Sequence, residues 1–175
     1  PAAECDLLVT SAAISVGAHD HLRPVLEDLA AEMKFWRVRM RPGAPVGFGV
    51  LRGVPWIGLP GNPVSTMVTF ELFVRPAIRK MAGHVRPFRR GVPVRAAEPI
   101  ELRPRLQHFL RAVVREGPDE LEVSLSGPQG SGILTSMVKA NALLVVPEGQ
   151  HHRPAGATLT AIRLDDPAHV AAPPF

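Results

Sequence analysis

Tyrosine is absent from this chain, cysteine occurs once, and aromatic residues make up 5% of its 175 positions. A lone cysteine, Cys5, cannot form an internal disulfide, so no covalent framework replaces a core and a reducing setting, the cytoplasm, is expected. Cys5 precedes an apolar run and is expected to be an inert core thiol. No apolar run approaches the roughly 20 residues needed to span a bilayer. The N-terminus lacks the basic-then-apolar order of a secretory signal. The first residue is Pro1, and a missing upstream segment is expected from it. The seven histidines show no His-x-x-x-His spacing, and adjacent His151 and His152 make a poor zinc site. There is no internal repeat and no low-complexity tract.

What the chain does contain is proline, 19 residues of it, which with few aromatics suggests short elements joined by stiff turns. Hydrophobic residues at 46% and charged residues at 21% describe an ordinary globular chain, long enough for one domain or two small ones. The net charge of +4 is unevenly spread. Lys34, Arg37, Arg39, Arg41 and Arg52 share a stretch free of acids, and Arg86, Arg89 and Arg90 form a second cluster. Such patches suit a phosphate or oxyanion as readily as nucleic acid, and a solvated surface is the plainer reading on charge alone.

Asp6 to Thr10 reads as a buried strand, followed by the small-residue loop Ser11 to Gly17. Leu22, Val25, Leu26 and Leu29 then fall at helical spacing, with Asp20 as N-cap and Pro24 in the first turn. Phe35 to Met40 alternates as a second strand, which would put Arg37, Arg39 and Arg41 on one face. Val46–Val50 and Val54–Leu59 flank Arg52-Gly53 as a hairpin. Asn62 and Pro63 start a helix whose apolar face runs to Met81, with a kink expected at Pro76 and a stop at Gly83. Residues 84–91 read as a basic linker. Beyond it, strand-like segments at Val92–Ala96, Phe109–Arg115, Leu121–Ser124, Leu143–Val146 and Thr158–Ile162 suggest a small β-barrel or sandwich. The expected domains are therefore 1–83, α/β and incomplete, and 92–175, all β.

Five places carry candidate chemistry. The Ser11–Gly17 loop and the Pro60-Gly61-Asn62-Pro63-Val64-Ser65 turn each lead from a strand into a helix N-terminus, where anions are favoured. Arg37 and Arg41, with Pro42, Gly43 and Pro45, could clamp an oxyanion through planar guanidinium forks, or could simply face solvent. Asp20 serves as an N-cap or, beside an anion, as a Mg²⁺ ligand. Arg111 and Ser131, the latter in the loop Gly127 to Gly132, could form an oxyanion site if they face one point; otherwise the loop is a barrel turn.

In order along the chain, D-L-L-V-T-S-x-x-I-S-V-G-x-x-D, F-W-R-V-x-M-R-P-G-x-P and G-L-P-G-N-P-V-S resemble the molybdopterin-binding domain of MoeA-type molybdopterin molybdenumtransferases, and the gephyrin E domain is similar. The later F-x-R, G-P-Q-G-S-G and A-N-A-L-L-V-V-P-E-G resemble the terminal β-barrel domain of the same proteins. The resemblance runs from about Asp6 to Leu164 and implies a partial three-layer α/β domain followed by a small barrel.

The activity it implies is insertion of molybdenum into adenylylated molybdopterin with release of AMP, assisted by Mg²⁺, in a homodimer. No nucleic-acid or membrane partner is expected. By position, Ser11, Ser15, Gly17, Pro60, Gly61, Asn62 and Ser65 would hold the pterin nucleotide, and Asp20 would serve the metal and phosphate. Arg41, Pro45, Arg111 and Ser131 would bind molybdate, and Asp20, Arg37 and Arg41 would act in catalysis. The family usually has glycines at Ala12 and Ala13 and lysines at Arg37, Arg41 and Ala44, and its acidic residue near Ala18 is absent. The alternative is a catalytically weakened paralogue acting as a scaffold or binding module.

Overall fold

The computed structural model describes residues 4–12, 22–102, 106–150 and 152–175. The chain forms two compact units, Pro1–Ile78 and Arg79–Phe175.

In the first unit, β1 (Leu8–Ser11) is followed by α1 (Leu22–Asp28), β2 (Glu32–Phe35), β3 (Met40–Arg41), β4 (Gly47–Leu51), β5 (Val54–Leu59) and α2 (Pro63–Thr69). Four of its strands form a sheet in the order β1-β5-β4-β2. β1 runs parallel to β5, with Leu8 opposite Trp56 and Ser11 opposite Leu59. β4 and β5 form the expected hairpin, turned by Arg52 and Gly53 with φ of 51° and 84°. Two successive positive φ angles match the right-handed twist of the flanking strands.

Alternation along β5 divides the core. Trp56 packs on one face with Leu26, Leu51 and the half-buried Leu8, Met33 and Trp36. Ile57 and Leu59 pack on the other with Val46, Val74, Phe48 and Phe73. α1 contributes Leu26, while Val25 and Leu29 of the same apolar spacing stay exposed.

The strand expected over 35–40 lies earlier, at Glu32–Phe35, and its pairing with β4 shifts register between Met33 and Phe35. Residues 36–39 leave the sheet. The cause lies in where their apolar side chains go. Trp36 stacks on Trp56, with ring centroids 5.9 Å apart, in one cluster, whereas Val38 joins the cluster on the opposite face. A regular strand would have put both on one side. Arg37, Arg39 and Arg41 therefore do not share a strand face by alternation, though all three are exposed.

The helix begins at Pro63 as expected, with Asn62 at the N-cap position, but the Asn62 side chain makes no capping bond. Helical structure continues through a π turn, Phe70–Val74, into α3 (Arg75–Met81). The amide of Arg75 donates to the carbonyl of Phe70, five residues back, directly before Pro76. A proline ring pushes against the carbonyl four residues earlier, and a widened turn absorbs the interruption. After α3, Gly83 donates to Lys80 and His84 to Arg79, the paired bonds of a helix stop.

The second unit contains β6 (Phe88–Arg89), β7 (Gly91–Ala96), β8 (Ile100–Glu101), β9 (Gln107–Glu116), β10 (Leu121–Leu125), α4 (Leu134–Lys139), β11 (Ala142–Val146), β12 (His152–Arg153), β13 (Thr158–Arg163) and β14 (His169–Val170). Five strands close on themselves in the order β10-β7-β13-β11-β9, because β10 pairs with both β7 and β9. These are the five segments read as strands from the sequence. β6 pairs with β14, and β8 with β12. Val94, Leu110, Ala112, Val114, Val123, Leu144, Val146 and Ala161 fill the interior. The carboxamide of Asn141 pairs with both main-chain groups of Val114, at 2.8 and 2.9 Å, and so imitates a neighbouring strand. No helix among the described residues is long and apolar enough to cross a membrane.

Candidate functional site

The carboxyl ends of the parallel pair β1 and β5 lie side by side, the usual position of a ligand crevice in α/β sheets. β1 ends at the exposed Ser11, and the next residue, Ala12, has φ of 70°. Across from it, β5 runs into Pro60 and Gly61. A Cβ on Gly61 would sit 3.2 Å from both the Cα and the Cβ of Ala12, so the two loops touch where they leave the sheet. Their geometry is braced from below. Trp56 Nε1 donates to Thr10 Oγ1 at 3.1 Å, and Thr66 Oγ1 bonds the carbonyls of Pro60 and Asn62. The sequence reading missed Thr66, although a threonine four residues after the N-cap is placed to bond back to it.

Ala12 occupies a left-handed conformation that costs an L-residue about 1–2 kcal/mol. Ala12→Gly is expected to stabilise the first unit by up to ~1 kcal/mol, since relief of the strain outweighs the added freedom of the unfolded chain. Urea titration of the two proteins checks this, and a lower midpoint for the glycine variant would contradict it.

Arg41 is exposed at the start of a tight turn through Pro42 and Gly43, both buried, to Pro45, half-buried; the Arg41–Pro42 bond is cis. The amide of Val38 donates to Ala44 O at 2.9 Å and closes the loop. Gly43 has φ of 99° and packs directly on α2: a Cβ there would lie 2.3 Å from Thr69 Cγ2. Ser65, on the same helix, is buried at 6% exposure.

In the second unit Arg111 is 1% exposed, on β9. Its Nε donates to Ser136 Oγ at 3.1 Å, and its Nη2 to the carbonyls of Pro128 at 3.2 Å and Gly130 at 2.9 Å. Arg111 and the loop bearing Ser131 are thus brought together, and Ser131 itself is exposed. Burial lowers the pKa of the guanidinium from a value so high that it stays charged. Sequence reasoning missed the partners Gln129 and Ser136. A glutamine inside a glycine-rich loop was the available signal for the first, and none was available for the second.

Two members of the second basic cluster, Arg89 and Arg90, are engaged in the barrel unit. Arg89 Nη1 donates to Leu164 O at 2.6 Å, and Arg90 pairs with Asp166 at 2.8 Å. Ala13, Ser15, Gly17 and Asp20 lie outside the described residues. Among the described residues no three of His, Cys, Asp and Glu gather as a metal ion would require.

Comparison with known proteins agrees with both units. A family described as "Probable molybdopterin binding domain" matches residues 1–80, and one described as "MoeA C-terminal region (domain IV)" matches residues 93–164. Molybdopterin molybdenumtransferase of Haemophilus influenzae is 33% identical over 162 residues, covering 90% of this chain and 39% of that protein. Molybdopterin molybdenumtransferase 1 of Mycobacterium tuberculosis is 38% identical over 151 residues, covering 82% of this chain and 35% of its own length. The crystal structure of a molybdopterin biosynthesis moeA protein from Pyrococcus horikosii superposes with a TM-score of 0.71 at 26% identity, over 94% of this chain and 38% of that one. The chain thus spans little more than a third of the length of these relatives.

Proposed function

Because the chain belongs to the MoeA-type family, carrying its molybdopterin-binding part and its C-terminal region, we propose that the protein it comes from inserts molybdenum into adenylylated molybdopterin during molybdenum cofactor biosynthesis, releasing AMP. The observation that carries this is the touching pair of loops at the carboxyl ends of β1 and β5, where Ala12 meets Gly61 beside the start of α2.

In this proposal the loop beginning at Ser11, with Ser15 and Gly17, and the turn Pro60 to Ser65 hold the phosphate and nucleotide of the pterin through main-chain amides and hydroxyls. Asp20 serves the phosphate side, where Mg²⁺ would assist. Molybdate is a tetrahedral dianion, and the groups that the family resemblance gives to it are Arg41, Pro45, Arg111 and Ser131. Arg37 and Arg41 are exposed guanidiniums on the first unit. They would stabilise the negative charge that develops as the phosphate bond to AMP breaks. A homodimer and a cytoplasmic location complete the proposal.

The test is molybdate-dependent release of AMP from adenylylated molybdopterin by the full-length protein, coupled to formation of active cofactor. Release is the expected result. A folded protein that releases none, beside an active control enzyme, would overturn the proposal. That result would favour the second reading, a weakened paralogue serving as scaffold or binding module, which the strained Ala12 recommends. The combined change Ala12→Gly, Ala13→Gly and Ala44→Lys separates the two, because only the weakened paralogue should gain activity strongly.

A further inference from the structure

The surroundings of Arg111 are built for more than burial. Gln129 lays its carboxamide along the main chain of Arg111: Oε1 accepts from the Arg111 amide at 2.9 Å, and Nε2 donates to the Arg111 carbonyl at 3.0 Å and to Gly127 O at 2.8 Å. The Arg111 guanidinium returns the connection through the carbonyls of Pro128 and Gly130 and through Ser136 Oγ. Ser136 Oγ in turn donates to Ile133 O at 2.7 Å, on the other side of the loop. The loop is thereby tied to β9 at both ends and at its centre.

The direction of these bonds matters. In a trans peptide the carbonyl of one residue and the amide N–H of the next point opposite ways. With the carbonyls of Pro128 and Gly130 drawn to the guanidinium, the amides of Gln129 and Ser131 point away from it. The main chain of the loop, with the exposed residue Ser131 on it, is then held in a fixed relation to the buried positive charge of Arg111. Donors fixed before a ligand arrives lose little freedom when it binds.

We infer that Gln129 and Ser136 are positioning residues for molybdate: they hold Arg111 and the Ser131 loop in the arrangement that receives the oxyanion, without touching it. This rests on the proposal that Arg111 and Ser131 bind molybdate. Neither carboxamide nor hydroxyl is replaceable by packing alone, because each satisfies polar groups at the buried Arg111.

The experiment uses full-length protein and separates the two substrates. The KM for molybdate and the KM for adenylylated molybdopterin are measured for wild type, Gln129→Ala, Ser136→Ala and, as a control on the underlying proposal, Ser131→Ala. Gln129→Ala and Ser136→Ala are each expected to raise the KM for molybdate roughly tenfold while leaving the KM for the pterin within about twofold. If Gln129→Ala does not fold, Gln129→Met carries the same expectation, since it keeps much of the side-chain length without charge and loses both the donor and the acceptor. A merely structural role predicts altered thermal stability with both KM values unchanged, and that result overturns the inference. Should Ser131→Ala raise the KM for molybdate while the Gln129 and Ser136 variants do not, the inference fails and the site proposal stands. Should Ser131→Ala and Arg111→Ala both leave the molybdate dependence unchanged, the site proposal itself fails.

Discussion

Replacing Gly43 by alanine should destabilise the first unit by about 3 kcal/mol, the sum of two costs of known origin. At φ of 99° any residue with a Cβ is strained. The added methyl would also lie 2.3 Å from Thr69 Cγ2, which no side-chain contact tolerates. Thr69 cannot swing aside cheaply, being fully buried with its hydroxyl bonded to the carbonyls of Ser65 and Thr66. Either the turn moves away from α2 or the helix shifts, and the turn is the segment that carries Arg41. The chain supplies its own probe: its two tryptophans, Trp36 and Trp56, both lie in the first unit, and there is no tyrosine to add background. Denaturant titration followed by tryptophan fluorescence should show a clearly lower midpoint. An unchanged midpoint would mean that Gly43 packs less tightly on α2 than described.

Trp56→Ala should cost about 3–5 kcal/mol, the range for deleting a buried large aromatic. Trp56 is fully enclosed, stacks on Trp36 with planes 26° apart, and fills the space among Leu26, Leu51 and Leu8. Its ring also covers Gly47, where a Cβ would lie 2.9 Å from it, so the neighbouring strand has no side chain with which to fill the void. The indole N–H reaches Thr10, one residue before the end of β1, so its loss is expected to loosen the loop at Ser11 as well as the core. Trp56→Phe refills most of the volume without the donor and should cost less than half as much. Both are read from Trp36 fluorescence in urea, and equal effects for phenylalanine and alanine would sink the argument from volume.

What was legible in the sequence follows from period and punctuation. The five barrel strands announced themselves as short β-branched runs between Gly-Pro turns. Asn62-Pro63 and Arg52-Gly53 fixed a helix start and a hairpin, because proline and paired positive φ angles leave few alternatives. The strand expected over 35–40 was misplaced for a reason that periodicity cannot see. Trp36 and Val38 are two residues apart, and each is drawn to a different face of the sheet by partners distant in sequence. The π turn before Pro76 was foreseen only as a kink. At the candidate site, the residue types were visible and the partners were not. Arg111 could be singled out as an arginine flanked by apolar strand residues, but its tie to Gln129 and Ser136 exists only once β9 and the following loop are folded together.

The closed order of the barrel strands bears on how the two units would behave in a crowded solution. Each of the five strands in the second unit has a neighbour on both sides, so the barrel presents no long row of open amides and carbonyls to a stray strand. Among the described residues, the four-stranded sheet of the first unit instead ends on β1 and β2. Val9 on β1 and Phe35 on β2 are both more than a third exposed. During folding or mild heating of this 175-residue chain by itself, intermolecular β-pairing and precipitation should therefore start from the α/β unit, with the barrel remaining as the soluble remnant after limited proteolysis.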